Sequence, residues 1–254
     1  FWWGSATSGP QSEGRFNKKH ASVFDHWFDI APQEFFNGIG PNVASNFYNS
    51  YKEDIKLIKE IGLNSLRTSI QWTRLIKDFE TGEVDEDAVR FYNAVIDEFI
   101  ANDIIPIMNL HHFDLPVELY DKYGGWESKK VVDLFVVFAK KCFELFGDRV
   151  KYWLTINEQN MMILHGAAIG TVNEGCEDIQ KELYQQNHHM MLAQAMTMKL
   201  CHKMVEDGKI GPAPNISAIY PASPKPEDVL AAQNFNAIRN WLYLDMAVYG
   251  RYNA

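Results

Sequence analysis

The chain has 254 residues, of which 46% are hydrophobic and 22% are charged. This composition is typical of a globular protein with a buried core and excludes a disordered or fibrous protein. The 24 Lys and Arg residues against 33 Asp and Glu residues give a net charge of -9, which argues against a broad nucleic-acid-binding surface.

The cysteine content and the apolar runs indicate the class of protein. Cys142, Cys176 and Cys201 are odd in number and widely spaced, so the sequence predicts neither a disulfide framework nor a cysteine metal site. No apolar run reaches the roughly 18 residues that a membrane span requires. Phe1-Trp2-Trp3-Gly4 has no preceding basic region and does not indicate a signal peptide. We therefore expect a cytoplasmic protein with no membrane partner.

Short apolar runs alternate with longer helical periods in the first part of the chain. Phe1 to Thr7 is predicted as a strand, and a helix follows from about Ser50 to Ile61, where Gly62 ends it. Asn64 to Ile70 is predicted as a second strand. Asp85 to Ala101 is predicted as a second helix because its first turn is acidic.

The same alternation continues through the rest of the chain. In order, the predicted elements are a strand at Ile104 to His111, a helix from Ser128 to Phe146, a strand at Tyr152 to Asn157, a helix from Tyr184 to Val205, a strand at Ile210 to Ser217 and a helix from Pro226 to Tyr249.

Strands that alternate with helices of this length imply parallel pairing, in either a doubly wound sheet or a barrel. No G-x-G-x-x-G follows the first strand, and polar clusters follow successive strands, as they do at the active-site rim of a barrel. The predicted fold class is therefore α/β, a (β/α)8 TIM barrel of which this chain supplies about the first five βα units. We expect residues 1–254 to form a single incomplete domain, either truncated from a longer chain or, less favoured, a natural half-barrel.

Glu158 is the leading catalytic candidate. It follows the apolar run Trp153 to Asn157, where partial desolvation would suit a general acid. The alternative is a glutamate that caps the next helix. Adjacent strand residues point to opposite faces, so Asn157 and Glu158 can reach one ligand only if the strand ends or bulges there.

Three further polar residues are candidates for the same site. Asn157 could donate to a sugar hydroxyl or could form a turn. Arg67 could hold a neighbouring carboxylate in its ionised form or could lie over the barrel mouth. Gln11 can both donate and accept hydrogen bonds, as vicinal hydroxyls require.

The sequence His111-His112-Phe113-Asp114 admits a metal site, but consecutive strand residues project oppositely and are poorly placed to chelate one ion. His112 as a hydroxyl ligand beside the Phe113 ring suits this loop better. Packing is the favoured role of His188-His189, which is predicted to lie mid-helix. We predict no metal and no cofactor.

The order of these segments resembles glycoside hydrolase family 1, the β-glucosidase and 6-phospho-β-glucosidase barrels. The resemblance rests, in chain order, on Phe1 to Thr7 with Gln11 and Glu13-Gly14, Tyr51 to Ile55, Arg67 to Arg74, His112 to Pro116 with Gly125-Trp126, Thr155 to Glu158, Ile210-Gly211 with Asn215 and Tyr220-Pro221, and Pro226 to Asp228.

The resemblance implies a retaining mechanism with two carboxylates about 5 Å apart. It implies that Glu158 is the general acid/base, that Gln11 and His112 bind the glycon, and that Arg67 supports the nucleophile. Gln159 departs from the family's usual proline, which affects only the expected local backbone.

The nucleophilic glutamate lies in a Thr-Glu-Asn-Gly-like motif late in the family's chain, and no such motif occurs here. Thr171 to Gly175 resembles it only superficially. This segment alone is therefore not expected to turn over substrate.

The expected substrate is a 6-phospho-β-glucoside, because Phe113 stands where plain β-glucosidases commonly carry tryptophan and because the chain is expected to be cytoplasmic. A β-glucoside without the phosphate is the alternative substrate. Two other hypotheses are a metal-dependent barrel hydrolase using His111, His112, Asp114 and Glu158, and a non-catalytic sugar-binding fragment. Gluco or galacto preference, the aglycone and the oligomeric state are not assigned.

Overall fold

A five-stranded parallel sheet is the centre of the computed structural model, which describes residues 1–165 and 175–252. Its strands are β1 (Gly4–Ala6), β2 (Ser65–Ser69), β3 (Ile105–His111), β4 (Tyr152–Asn157) and β5 (Lys209–Ala213). The strands pair in the order β1-β2-β3-β4-β5, and every pair is parallel. In a doubly wound sheet the strand order reverses at one point, whereas here it follows the chain throughout, as in a barrel.

Helices provide the connections between successive strands. The helices are α1 (Phe47–Glu60), α2 (Glu86–Ala101), α3 (Lys129–Phe146), α4 (Ile179–Met204), α5 (Pro226–Asn236) and α6 (Leu242–Tyr249). Helices α1 to α4 join β1 to β5 in turn. Asp85 and Ser128 accept backbone N–H groups in the first turns of α2 and α3, so both helices begin with a side-chain cap.

Some predicted bounds are wrong. The first strand is shorter than Phe1 to Thr7 because only Gly4–Ala6 pairs with β2, and the fifth ends at Ala213 rather than Ser217. The fourth helix begins at Ile179, before the predicted Tyr184. By contrast, the helix predicted from Pro226 to Tyr249 has the observed outer bounds, and it contains the π-helical turn Ala237–Trp241 between α5 and α6.

Short elements that the sequence did not predict follow the carboxyl ends of the strands. They are the helices Gly9–Ser12, Val23–Ile30, Trp72–Leu75, Val117–Tyr123 and Gln159–Leu164, the 3-10 turns Pro32–Glu34, Phe36–Gly38 and Gly125–Glu127, and the hairpin of Ile76–Asp78 with Glu83–Val84. These elements form the rim at which barrel active sites are built.

The core lies between the sheet and its helices and is rich in aromatic rings. Trp72, Trp126, Phe135 and Phe138 are at most 1% exposed, and the rings of Trp72 and Phe138 stack with centroids 5.6 Å apart. Within residues 1–165 and 175–252, no helix is long and apolar enough to span a membrane.

Candidate active site

The Arg67 guanidinium joins the ends of three strands at the rim. From β2 it donates to the Thr7 carbonyl, just after β1, at 3.2 Å and to the Asn157 side-chain oxygen, at the end of β4. Burial lowers the pKa of Arg67, and the negative charge of Glu158 opposes that effect. The structure thus brings Arg67, Asn157 and Glu158 together, as the sequence predicted for one rim.

Glu158 leaves the strand in a left-handed conformation, with φ 45° and ψ 45°. The β4–β5 register shifts between Leu154 and Asn157, and the Glu158 N–H donates to the Ala213 carbonyl at 2.8 Å. Side chains alternate strictly between the two faces only within a regular strand, and the strand ends here. The strand end that Asn157 and Glu158 would need in order to reach one ligand is therefore present.

The alternative prediction, that the Glu158 side chain caps the next helix, is wrong. Glu158 occupies the N-cap position of Gln159–Leu164, but its side chain accepts no hydrogen bond from the first turn. Its carbonyl accepts the Met161 N–H at 2.8 Å, so only the backbone starts the helix. The half-buried carboxylate therefore has no capping role.

Gln159 is 2% exposed and ties the end of β4 to α4. Its side-chain amide donates to the Asn187 side-chain oxygen at 2.6 Å and accepts a hydrogen bond from Gln194. Gln194 in turn accepts from the Thr155 hydroxyl at 2.6 Å. In the sequence, Gln159 stood out only because the family usually has proline at this position. These long-range hydrogen bonds give the glutamine a structural reason.

Gln11 and His112 line one cavity of about 610 Å³, whose walls include the rings of Phe24, Phe35 and Phe113. Polar groups beside aromatic faces suit a sugar ring, which has hydroxyl edges and apolar C–H faces.

Both polar side chains at this cavity are held in defined states. The Ser8 hydroxyl donates to the Gln11 side-chain oxygen at 2.8 Å, which leaves the Gln11 amide hydrogens free to donate to a ligand. Burial, together with the charge of Arg67 and the nearby His111, lowers the pKa of His112 to about 3. His112 is therefore a neutral imidazole at ordinary pH.

The two adjacent histidines diverge, as predicted. His111 is fully buried, with its ring centroid 5.4 Å from that of Trp126 and 6.3 Å from that of Phe135, and burial lowers its pKa to about 3. In the part of the chain that the structure describes, no group of three or more His, Cys, Asp or Glu side chains could hold a metal ion. In the predicted histidine pair of α4, His189 hydrogen-bonds the Trp126 carbonyl at 2.8 Å, a packing role.

A buried ion pair, which the sequence did not predict, involves Glu13 at the end of the short helix Gly9–Ser12 that contains Gln11. Arg74 donates to the Glu13 carboxylate at 2.7 Å, and their side chains are 1% and 3% exposed. Gln71 also donates to Glu13 at 2.7 Å. The two charges are 61 residues apart, and no local pattern pairs them.

Asn215 and the motif Thr171 to Gly175 are the two remaining features that the sequence analysis named. Asn215 accepts a hydrogen bond from Arg239 and exchanges two with Asn160, so it connects β5 to the helical region after it. In the superficial motif Thr171 to Gly175, residues 171–174 lie outside the described residues.

Comparisons with known proteins agree over the whole chain. A curated 6-phospho-beta-glucosidase of Bacillus subtilis is 43% identical over 254 residues, covering 99% of this chain and 54% of that protein. Beta-glucosidase A of Acetivibrio thermocellus is 38% identical over 255 residues, covering 99% of this chain and 56% of that protein. The chain thus spans about half the length of the curated relatives it matches.

A solved structure, a beta-glucosidase from Thermotoga maritima in complex with glucoimidazole, superposes with a TM-score of 0.90 at 35% identity. The match covers 100% of this chain and 57% of that chain. With the sequential parallel sheet, it confirms the predicted fold class: the five βα units are part of a (β/α)8 TIM barrel. The profile described as Glycosyl hydrolase family 1 matches residues 1–254, and the chain belongs to that family.

Proposed function

We propose that the full-length protein is a retaining β-glycosidase that hydrolyses 6-phospho-β-glucosides, with Glu158 as its general acid/base. The observation that carries this proposal is that Glu158 turns out of the end of β4 beside Asn157, whose side chain accepts from Arg67, and that the Glu158 charge acts on the same Arg67. In this mechanism Glu158 first protonates the departing glycosidic oxygen and later deprotonates the water that releases the sugar.

The other candidates take supporting roles. Asn157 binds the hydroxyl next to the anomeric carbon, while Gln11 and the neutral His112 bind the far edge of the sugar at the cavity they line. Arg67 stabilises the negative charge of the second carboxylate, the nucleophile. In the family that the sequence resembles, that carboxylate lies in a Thr-Glu-Asn-Gly-like motif, which residues 1–254 do not contain.

The phosphate on the substrate is the finer part of the proposal. Phe113, whose ring forms part of the cavity wall, and the Bacillus relative named a 6-phospho-beta-glucosidase both support it. A second candidate substrate is the unphosphorylated β-glucoside, because a relative that is 38% identical is named a beta-glucosidase. A cytoplasmic location is part of the same proposal, since phosphorylated disaccharides arise on uptake.

Kinetics of the full-length protein test the assignment. An aryl β-glucoside and its 6-phosphate, each with a good and a poor leaving group, would be compared on wild type, Glu158→Gln and the control Glu206→Gln. Glu206 is an exposed glutamate after α4, at the opposite end of the strands.

The phosphorylated substrates are expected to have the higher kcat/KM. Glu158→Gln is expected to lose about 100-fold or more on the poor leaving group and far less on the good one, because only the poor one needs a proton. Equal rates with and without phosphate would remove the phosphate assignment. A small loss on the poor leaving group would remove the acid/base role of Glu158, and activity abolished by a chelator would favour the metal-dependent hypothesis.

A further inference from the structure

The loop that carries His112 contains a buried carboxylate that the mechanism above does not use. Asp114 is 0% exposed, and its Oδ1 accepts the backbone N–H of His112 at 2.8 Å. Phe113, between the two, has φ 62°, in the left-handed region that residues with side chains rarely adopt. The Asp114 side chain therefore closes a turn around a strained residue and determines how the chain leaves β3 at His112.

Buried charges surround this carboxylate. Lys18 forms an ion pair with Asp25, and their side chains are 4% and 1% exposed. Burial disfavours the ionised form of Asp114, the His112 backbone N–H and the Lys18 charge favour it, and the Asp25 charge disfavours it. The net effect is that burial raises the pKa of Asp114 to about 6. Asp114 is thus a polar group kept in the core at a cost, which a function at this position would explain.

Backbone hydrogen bonds hold the same loop against the segment before Asp25. The Val23 N–H donates to the Leu115 carbonyl at 2.9 Å, and the Val117 N–H donates to the Ala21 carbonyl at 3.0 Å. The segment continues into Phe24, which lines the cavity that His112 also lines. The part of the loop after Asp114 is therefore fixed, and the Asp114 carboxylate ties the His112 backbone N–H to that part.

We propose that Asp114 is a positioning residue of the sugar site, which fixes the His112 ring at the cavity through its hydrogen bond to the His112 backbone. This inference rests on the proposed function, in which His112 binds a sugar hydroxyl. Without the Asp114 acceptor, the left-handed Phe113 would relax toward an ordinary conformation, and the His112 ring would no longer be held toward the ligand.

The test uses the full-length protein and the aryl 6-phospho-β-glucoside and β-glucoside. The variants are Asp114→Ala, Asp114→Asn, His112→Ala and the double variant Asp114→Ala/His112→Ala. Asp114→Asn keeps an oxygen acceptor of the same size at the same place. The matched control is Asp85→Ala, which removes another buried aspartate that accepts a backbone N–H, from Ala88 at 2.9 Å, at the start of α2.

Asp114→Ala and His112→Ala are each expected to lower kcat/KM by about tenfold, the scale of one lost hydrogen bond. The double variant is expected to match His112→Ala alone, because Asp114 acts through His112. Asp114→Asn is expected to stay within about threefold of wild type. Asp85→Ala is expected to lower the melting temperature through its lost cap and to leave kcat/KM unchanged.

The outcomes separate the inference from the proposed function on which it rests. If His112→Ala has no effect, the proposed sugar site fails. If His112→Ala lowers kcat/KM but Asp114→Ala does not, or if the two losses multiply, the inference fails and the proposed function stands. Should Asp114→Ala not fold, Asp114→Ser replaces it: its shorter acceptor is expected to lower kcat/KM, and wild-type kinetics would overturn the inference.

Discussion

The buried ion pair of Arg74 and Glu13 holds the turn that carries Gln11, and Arg74→Met is expected to be strongly destabilising. Methionine fills most of the same volume but removes the charge and every donor. In the variant, the Glu13 carboxylate would keep only the neutral donors Gln71, at 2.7 Å, and Tyr92, at 3.2 Å. An ionised carboxylate would then be buried without a counter-charge.

The magnitude follows from the contacts that are lost. Arg74 donates to Glu13 and to the Gly14 carbonyl, both at 2.7 Å, and also to the Phe16 carbonyl. Its guanidinium carbon lies 4.8 Å from the centre of the Tyr48 ring. Removing one partner of a buried ion pair costs about 3–5 kcal/mol, so Arg74→Met is expected to lower the free energy of unfolding by about 4 kcal/mol.

Denaturant unfolding, followed by tryptophan fluorescence, measures this loss in the full-length protein. Arg90→Met on α2 is the matched control, because Arg90 is 67% exposed and pairs with the exposed Asp87, so its loss is expected to stay below about 1 kcal/mol. Glu13→Met/Arg74→Met is expected to cost less than Arg74→Met alone, since no unpaired charge remains. If Arg74→Met cost no more than Arg90→Met, or if the Glu13→Met and Arg74→Met losses simply added, the reasoning would be refuted.

Three further predictions concern the site and the sheet. Burial raises the pKa of Asp114 from 3.8 to about 6, so the contribution of Asp114 to stability is fully present below pH 3.8 and is lost as the pH rises through 6. Denaturant titrations at pH 3 and pH 7 should therefore show that the free energy of unfolding of Asp114→Asn, relative to that of wild type, increases by about 3 kcal/mol between the two pH values. Arg67→Met should lower kcat about 30-fold by removing a charged donor from Asn157, as steady-state kinetics would measure. In Gly4→Ala the added Cβ would lie 2.9 Å from the Ser65 carbonyl oxygen, so thermal unfolding should show a loss of about 2 kcal/mol.

The regular elements were predictable because their signals are local. The observed bounds of β4 equal the predicted Tyr152 to Asn157, and α2 begins one residue after the acidic Asp85 that caps it. The first strand was predicted too long for a non-local reason. Phe1 to Trp3 has the aromatic residues of a strand, but a strand also requires a partner, and only Gly4–Ala6 pairs with β2.

The short rim elements had weaker signals, and one of them was readable. Ser22 and Asp25 form a capping box at the start of Val23–Ile30, a spacing that the sequence displays. The Gln159 contacts with Asn187 and Gln194 were not readable, since they depend on how α4 packs against the end of β4. The candidate residues of the proposed site could therefore be named from the sequence, whereas the partners that orient them could not.

The two loops that carry His112 and Glu158 share one backbone feature, a non-glycine residue with positive φ. Phe113 after β3 and Glu158 after β4 are both non-glycine residues in the left-handed region, with φ 62° and 45°. Such residues cost of order 1–3 kcal/mol each, and they persist only where neighbours hold them. Here the Asp114 carboxylate accepts the N–H before Phe113, and the Ala213 carbonyl accepts the N–H of Glu158 itself. Because a non-glycine residue carries no local mark of a positive φ, the sequence could name His112 and Glu158 but could not show how the backbone turns at Phe113 and Glu158.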